Sequence, residues 1–230
     1  MTELTTKGKD NEGDKGMSFP LYCKHPAVLA RTRYPHEIHY SWLPILLDSY
    51  AIDDYERQLD VRRGILTRGQ KIACHKGCFS CCVSHAIPVM PLEFMGISWF
   101  YSEICDADTK IIIRPRLVNH HRSIECPFLM NNVCSIYPVR PLACRDFFVY
   151  GKPCGLEEDI TATRPHDIHP PNLEISRYVA FRLFDYPGFG CSTMNDKERA
   201  FNEGLIVSCS RPMHSFDWAE YVKRSESRFG

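Results

Sequence analysis

Nine of the twelve cysteines in this chain fall between positions 74 and 154, and eight of these, all but Cys105, form two groups. The first is Cys74-His75-Lys76-Gly77-Cys78-Phe79-Ser80-Cys81-Cys82. The second comprises Cys126 and Cys134, then Cys144 followed by Arg145, and finally Cys154. Thiols brought this close must be cross-linked, stay protonated, or share a cation, because neighbouring thiolates repel one another. Twelve cysteines in 230 residues is below the roughly 8–10% of a small disulfide scaffold, and a chain of this length can bury a core without staples. Residues Met1 to Ser18 are polar, with no apolar run of the kind a secretory leader or a spanning helix needs. The expected location is therefore the cytoplasm, where clustered cysteines serve metals or redox chemistry more often than structural disulfides. Residues 1–18 are expected to be a disordered tail. Residues 19–230 are expected to form a single domain, with its cysteine-cluster core at 74–154.

The spacings suit a metal. Two or three residues between cysteines complete a turn and direct successive thiols to one centre, and Gly77 gives the tightest point its backbone freedom. Asn131-Asn132 reads as a turn that returns Cys134 towards Cys126. Four thiolates around one zinc ion leave two excess negative charges. Arg140 and Arg145, flanking Cys144, are candidates to offset that charge and donate hydrogen bonds to sulfur; equally, they are candidate ion-pair partners of Glu125 or Asp146. Cys81 and Cys82 are adjacent, and in an extended segment neighbouring side chains point to opposite sides. That favours two sites or one multinuclear cluster over a single mononuclear ion.

The pattern Cys78-x2-Cys81-Cys82, together with Cys-Pro-Phe-Leu at 126, Cys-Ser-Ile-Tyr at 134 and Arg-Pro-Leu-Ala-Cys-Arg at 140–145, resembles the YkgJ-like cysteine-cluster family, the CxxCxxCC zinc- or iron-chelating domain. The resemblance spans about Cys74 to Cys154. It implies metal chelation by Cys74, Cys78, Cys81, Cys82, Cys126, Cys134, Cys144 and Cys154, with an iron–sulfur cluster or zinc as the cofactor. Three residues, rather than two, separate the first pair in this chain. Of the two ions, the expectation is an iron–sulfur cluster, with Phe79, Phe128, Phe147 and Phe148 as a candidate apolar shell around it.

Two enzyme readings stand beside metal binding, and both would modify a protein or peptide. Cys74-x3-Cys78-x2-Cys81 has the spacing of the radical S-adenosylmethionine enzymes, but Ser80 stands before the third cysteine where those enzymes usually carry an aromatic residue, and strand–helix alternation is absent downstream. Flagellin lysine N-methylases carry a similar cysteine cluster, yet no glycine-rich strand–helix loop offers a cradle for an adenosyl cofactor. Lys plus Arg and Asp plus Glu each number 28, so no overall field draws nucleic acid or an anionic membrane. The expected partner is the metal ion or cluster.

The fold is expected to be mainly α, a compact helical domain around a loop-rich, cysteine-ligated metal centre. Apolar residues at helical spacing predict a helix over 41–63, with Leu43, Leu46, Leu47, Tyr50, Tyr55 and Leu59 facing the core and Gly64 as its stop. Further helices are expected from Pro91 to Ile104, from Asp108 to Arg122 with a disturbance at Pro115, from Leu173 to Phe184, from a Thr193-x-x-Asp196 start signal to about Leu205, and from Phe216 to Arg224. No alternation is long enough for a sizeable sheet. Cys23, Cys105, Cys191 and Cys209 are expected to be buried as small apolar residues. His75 and His85 are candidate replacement ligands, read here as loop residues. His120-His121 is expected on a solvated helix surface, and His166 and His169 in an extended surface loop.

Overall fold

The computed structural model describes residues 22–226, so the tail expected at 1–18 lies outside the described residues. Helices dominate, as the sequence predicts. In chain order they are α1 (Pro26–Ala30), α2 (Trp42–Arg68), α3 (Ser80–Ser84), α4 (Pro91–Trp99), α5 (Ala107–Asn119), α6 (Leu142–Arg145), α7 (Ile160–Thr163), α8 (Leu173–Leu183), α9 (Met194–Asn202), α10 (Leu205–Cys209) and α11 (Trp218–Glu226). Strand structure among the described residues is limited to two antiparallel pairs. Strand β1 (Pro88–Val89) pairs with β4 (Arg211–Pro212), and β2 (Leu129–Met130) pairs with β3 (Val133–Cys134).

Helix α2 is the axis of the molecule. Its Leu43, Leu46, Leu47, Tyr50, Ile52 and Val61 are buried, and α1, α4, α6 and α8 pack around it. Burying side chains of this size contributes about 1.5–3 kcal/mol each. With neighbours on several sides, α2 also buries Asp48, Asp53 and Arg57, although burial, and then Asp146, pushes Asp53 up to about 8. Asp48 accepts from Arg31 Nε at 2.6 Å and from Arg182 Nη2 at 2.7 Å. Arg57, 2% exposed, donates to Asp53 at 3.3 Å and Asp146 at 2.7 Å. Tyr55, expected in the core, is instead exposed and meets the edge of His25, with ring centroids 5.4 Å apart.

Gly64 does not stop α2. The helix runs on to Arg68 and ends where Gly69 adopts the left-handed conformation (φ 64°), the usual role of glycine at a helix C-terminus. Gly64 lies within the helix because Tyr150 needs the space. A Cβ there would collide with the Tyr150 hydroxyl and lie 3.1 Å from its Cζ.

The remaining helix boundaries follow their local signals. Thr193 and Asp196 form a reciprocal cap at the start of α9, although α9 ends at Asn202 and Gly204, in the left-handed conformation, starts the separate α10. Pro115 sits inside α5 without ending it. Helix α4 gives way at Phe100–Ile104 to a π-helical turn. Helix α11 begins at Trp218, and α8 closes with Phe184 as its C-cap.

Candidate metal centre

Each cysteine loop is shaped by its own sequence and then hydrogen-bonded to the others. Gly77 has φ 87°, a conformation that glycine adopts without steric cost, and turns the chain between Cys74 and Cys78. Cys81 and Cys82 lie in α3, directly after its cap Phe79. They therefore do not sit on an extended strand, and the argument that they face opposite ways is corrected: successive helical residues diverge by about 100°. Asn131 and Asn132 have φ 49° and 62°, the two-residue turn that closes the β2–β3 hairpin and leaves Cys134 opposite Leu129. Asn tolerates this left-handed conformation better than most residues.

Backbone bonds tie the loops together. Cys126 N donates to Cys82 O at 2.7 Å, linking the two cysteine groups directly. Ser80 Oγ donates to Cys154 O at 3.0 Å. Val149 N donates to Cys74 Sγ at 3.4 Å, and Ala73 N to Val149 O at 2.7 Å. Helix α6, which carries Cys144 and Arg145, is fixed to the scaffold by Glu93. This buried carboxylate caps α4 at Met90 N (3.0 Å), accepts from Tyr50 at 3.3 Å, and accepts from Leu142 N at 2.6 Å. Nothing in the sequence reading singled out Glu93, although Pro91-Leu92-Glu93 after an apolar residue has the form of a helix start.

The eight cysteines are free and partly buried. Their mutual electrostatics sort them around Cys81. Cys74 is influenced by Cys78, Cys154 and Cys81, while Cys144 is influenced by Cys126, Cys81 and Cys134. Burial pushes the Cys74 thiol up to about 11 and Cys126 up to about 12. It raises Cys134, Cys144 and Cys154 as well. The hydrogen bond with Cys82, followed by burial, holds Cys81 far above the ordinary thiol range. Without a cation these thiols keep their protons. Among the described residues, no three His, Cys, Asp or Glu side chains stand together as a ready group for one ion. The donors share a neighbourhood, but the final coordination sphere is not preassembled.

Arg140 and Arg145 both reach this neighbourhood, and both work against the rise of Cys134. Arg145 is 2% exposed and fully occupied: it pairs with Asp54, donates to Arg140 O at 2.9 Å and Pro138 O at 2.7 Å, and lies 4.1 Å over the Tyr50 ring. Arg140 pairs with the same Asp54 at 3.6 Å, and its buried Nε has no hydrogen-bond partner among the described residues. Asp146 is taken by Arg57. Asp54 went unmarked in the sequence, because the partner of an arginine some ninety residues away cannot be read from local spacing.

The other candidate residues divide. His75 is exposed, with Nδ1 sharing a hydrogen bond with Ala73 O at 2.8 Å, and His85 shares one with Ser84 Oγ at 2.7 Å. His120 and His169 correct the sequence reading, because both are buried. Burial, with a smaller contribution from His214, pushes His120 down to about 4. His169 shares hydrogen bonds with Tyr150 Oη at 2.6 Å and Asp60 Oδ2 at 3.0 Å, whereas His166 is exposed as expected. Phe128 is in the main core, edge-on to Trp218. Phe79, Phe147 and Phe148 are partly buried. Cys105, Cys191 and Cys209 are partly rather than fully buried against the apolar clusters; the side chain of Cys23 lies outside the described ones.

Fold and site together define a mainly helical protein with a thiol-rich centre. Residues 73–167 match the family model described as "CxxCxxCC: Putative zinc- or iron-chelating domain", and α2, α8 and α11 lie outside the matched segment. No curated protein and no solved structure matches the chain. No helix among the described residues is long and apolar enough to cross a membrane.

Proposed function

We propose that the chain is a metal-binding protein of the reducing cytoplasm, a single folded unit over residues 19–230. Its cysteines Cys74, Cys78, Cys81, Cys82, Cys126, Cys134, Cys144 and Cys154 would hold an iron–sulfur cluster. The observation that carries this reading is Cys81, whose charge would raise Cys74 and Cys154 as well as Cys126, Cys134 and Cys144. One thiol common to both groups suits a multinuclear occupant or two adjoining sites. The donor chemistry fits: the eight candidate ligands are all sulfur and all partly buried. A bound cluster would supply a one-electron redox centre.

The protein's own residues supply the rest. The thiols release their protons on binding. Arg140 and Arg145 bring positive charge to a centre with excess negative charge, and the free Nε of Arg140 is a donor for sulfur. Zinc is the second reading, favoured by one observation: Cys81 and Cys82 share a helical turn and so diverge less than strand neighbours do.

Anaerobic purification from iron-replete cells, followed by metal, sulfide and absorbance analysis, tests the reading. Brown protein with iron and acid-labile sulfide is expected; colourless protein with stoichiometric zinc and no sulfide would overturn the cluster. Cys126→Ala and Cys144→Ala should each lower metal content and melting temperature together, while Cys191→Ala leaves the metal unchanged. Unchanged metal in the first two variants would remove them from the ligand set.

A further inference from the structure

A second site lies where the start of α2, α4 and α11 meet. A cavity of about 320 Å³ is lined there by the rings of Trp42, Phe94, Trp99 and Tyr221, together with Ser98 and Glu103. Tyr40 extends the aromatic wall at the rim, its ring centroid 5.8 Å from that of Trp42. None of the eight cysteines lines it.

Three independent features mark it as more than a gap in the packing. The first is the backbone. Helix α4 changes to a π-helical turn over Phe100–Ile104, and that turn brings Ser102 and Glu103 to the cavity. Single π turns inside helices are uncommon and cluster at functional sites. The second is unmet hydrogen-bonding capacity. Ser98 and Trp99 are 8% and 5% exposed, yet Ser98 Oγ and Trp99 Nε1 have no hydrogen-bond partner among the described residues. Leaving a buried polar group unpaired costs about 1–3 kcal/mol, so two on consecutive residues that line one cavity call for a ligand or ordered water. The third is charge. The Glu103 carboxylate has His36 Nε2 3.7 Å away, too far for a hydrogen bond, so it brings negative charge to the cavity wall. Arg224, the other charged group lining the cavity, is 76% exposed and is held by Glu220 at 2.7 Å.

Aromatic faces carry negative potential and attract cations within about 6 Å of the ring centre. A carboxylate beside such faces adds to that attraction, and the volume matches the lower end of small-molecule sites. We propose that this cavity binds a small organic cation, an alkylated ammonium compound with a flat apolar body, through the rings of Trp42, Trp99 and Tyr221 and the carboxylate of Glu103. The apolar body takes the aromatic walls and the ammonium group takes Glu103. An acceptor on the ligand, where it has one, meets Ser98 Oγ or Trp99 Nε1.

The full chain is titrated with benzyltrimethylammonium, followed by tryptophan fluorescence and calorimetry. Neutral benzyl alcohol and anionic benzoate, which share the ring, serve as comparisons. One saturable equivalent of the cation is expected, with benzyl alcohol about tenfold weaker and benzoate without measurable binding. Glu103→Gln keeps the shape and removes the charge, so it should weaken the cation about tenfold and leave benzyl alcohol unchanged. Trp42→Leu, at a partly exposed position, should weaken both. No saturable binding of the cation, equal affinity for benzoate or benzyl alcohol, or a Glu103→Gln variant that binds the cation as tightly as wild type would each overturn the proposal.

Discussion

Along α2 almost every turn meets another helix, and its buried charges find side-chain partners at 2.6–3.3 Å. The cysteine loops, 74–84 and 126–154, contain no helix longer than the five residues of α3. They are joined by single backbone bonds such as Cys126 N to Cys82 O, and the thiols at their centre are kept protonated by burial. A helix bundle reaches its stable form by removing apolar surface from water. A loop cluster of this kind gains little that way, so a cation that draws several thiols together contributes folding free energy directly. The scaffold is therefore self-sufficient, and the loops are expected to depend on their ligand.

The largest expected effect lies on the scaffold side. Leu46 is fully buried and sits so close to Gly96 that a Cβ there would strike it. Leu46→Ala should cost about 2–5 kcal/mol, equally in the metal-loaded and metal-free forms by denaturant titration. A loss seen only in the loaded form would mean that the two regions are not separable.

Gly64→Ala tests the joint between the two regions. An added methyl group displaces the Tyr150 hydroxyl from its place beside His169. Tyr150 follows Val149, which donates to Cys74 Sγ. Overpacking costs about 1–3 kcal/mol, while the gain in helix propensity returns about 1 kcal/mol. A net loss of up to about 2 kcal/mol is expected, together with weaker metal retention in a chelator competition. Stability above wild type with unchanged metal retention would show that Tyr150 does not need the space.

A smaller effect is set by pH. His120 is held down to about 4 in the folded chain, against about 6.5 when unfolded, so the unfolded state binds the extra proton between those values. Stability from this group is present above pH 6.5 and is lost as pH falls towards 4, with a slope of at most about 1.4 kcal/mol per pH unit. His120→Leu should flatten that part of the stability profile. An unchanged profile would place the acid sensitivity elsewhere.

What the sequence discloses follows the same division. Spacing and turn chemistry are local, so the helices, the Asn131-Asn132 turn and the Thr193–Asp196 cap could be read from neighbouring residues. Gly64 misled because a mid-helix glycine resembles a stop until Tyr150, some ninety positions later, is seen above it. His120 and His169 were placed on the surface because burial depends on packing partners that polarity alone does not reveal. At the centre, spacing alone marks the two cysteine groups as candidate ligands. Glu93, Asp54 and Ser80, which hold the loops in place, were not, since each acts on residues far along the chain.

Hydrogen–deuterium exchange, resolved by peptide and run anaerobically before and after removal of the metal by a strong chelator, tests the division most directly. Peptides from α2 and α8 should keep their protection in both states, while those covering 74–84 and 126–154 should lose protection by an order of magnitude or more once the metal is gone. Identical protection of the cysteine loops in both states, in protein that carried stoichiometric metal at the outset, would contradict the account.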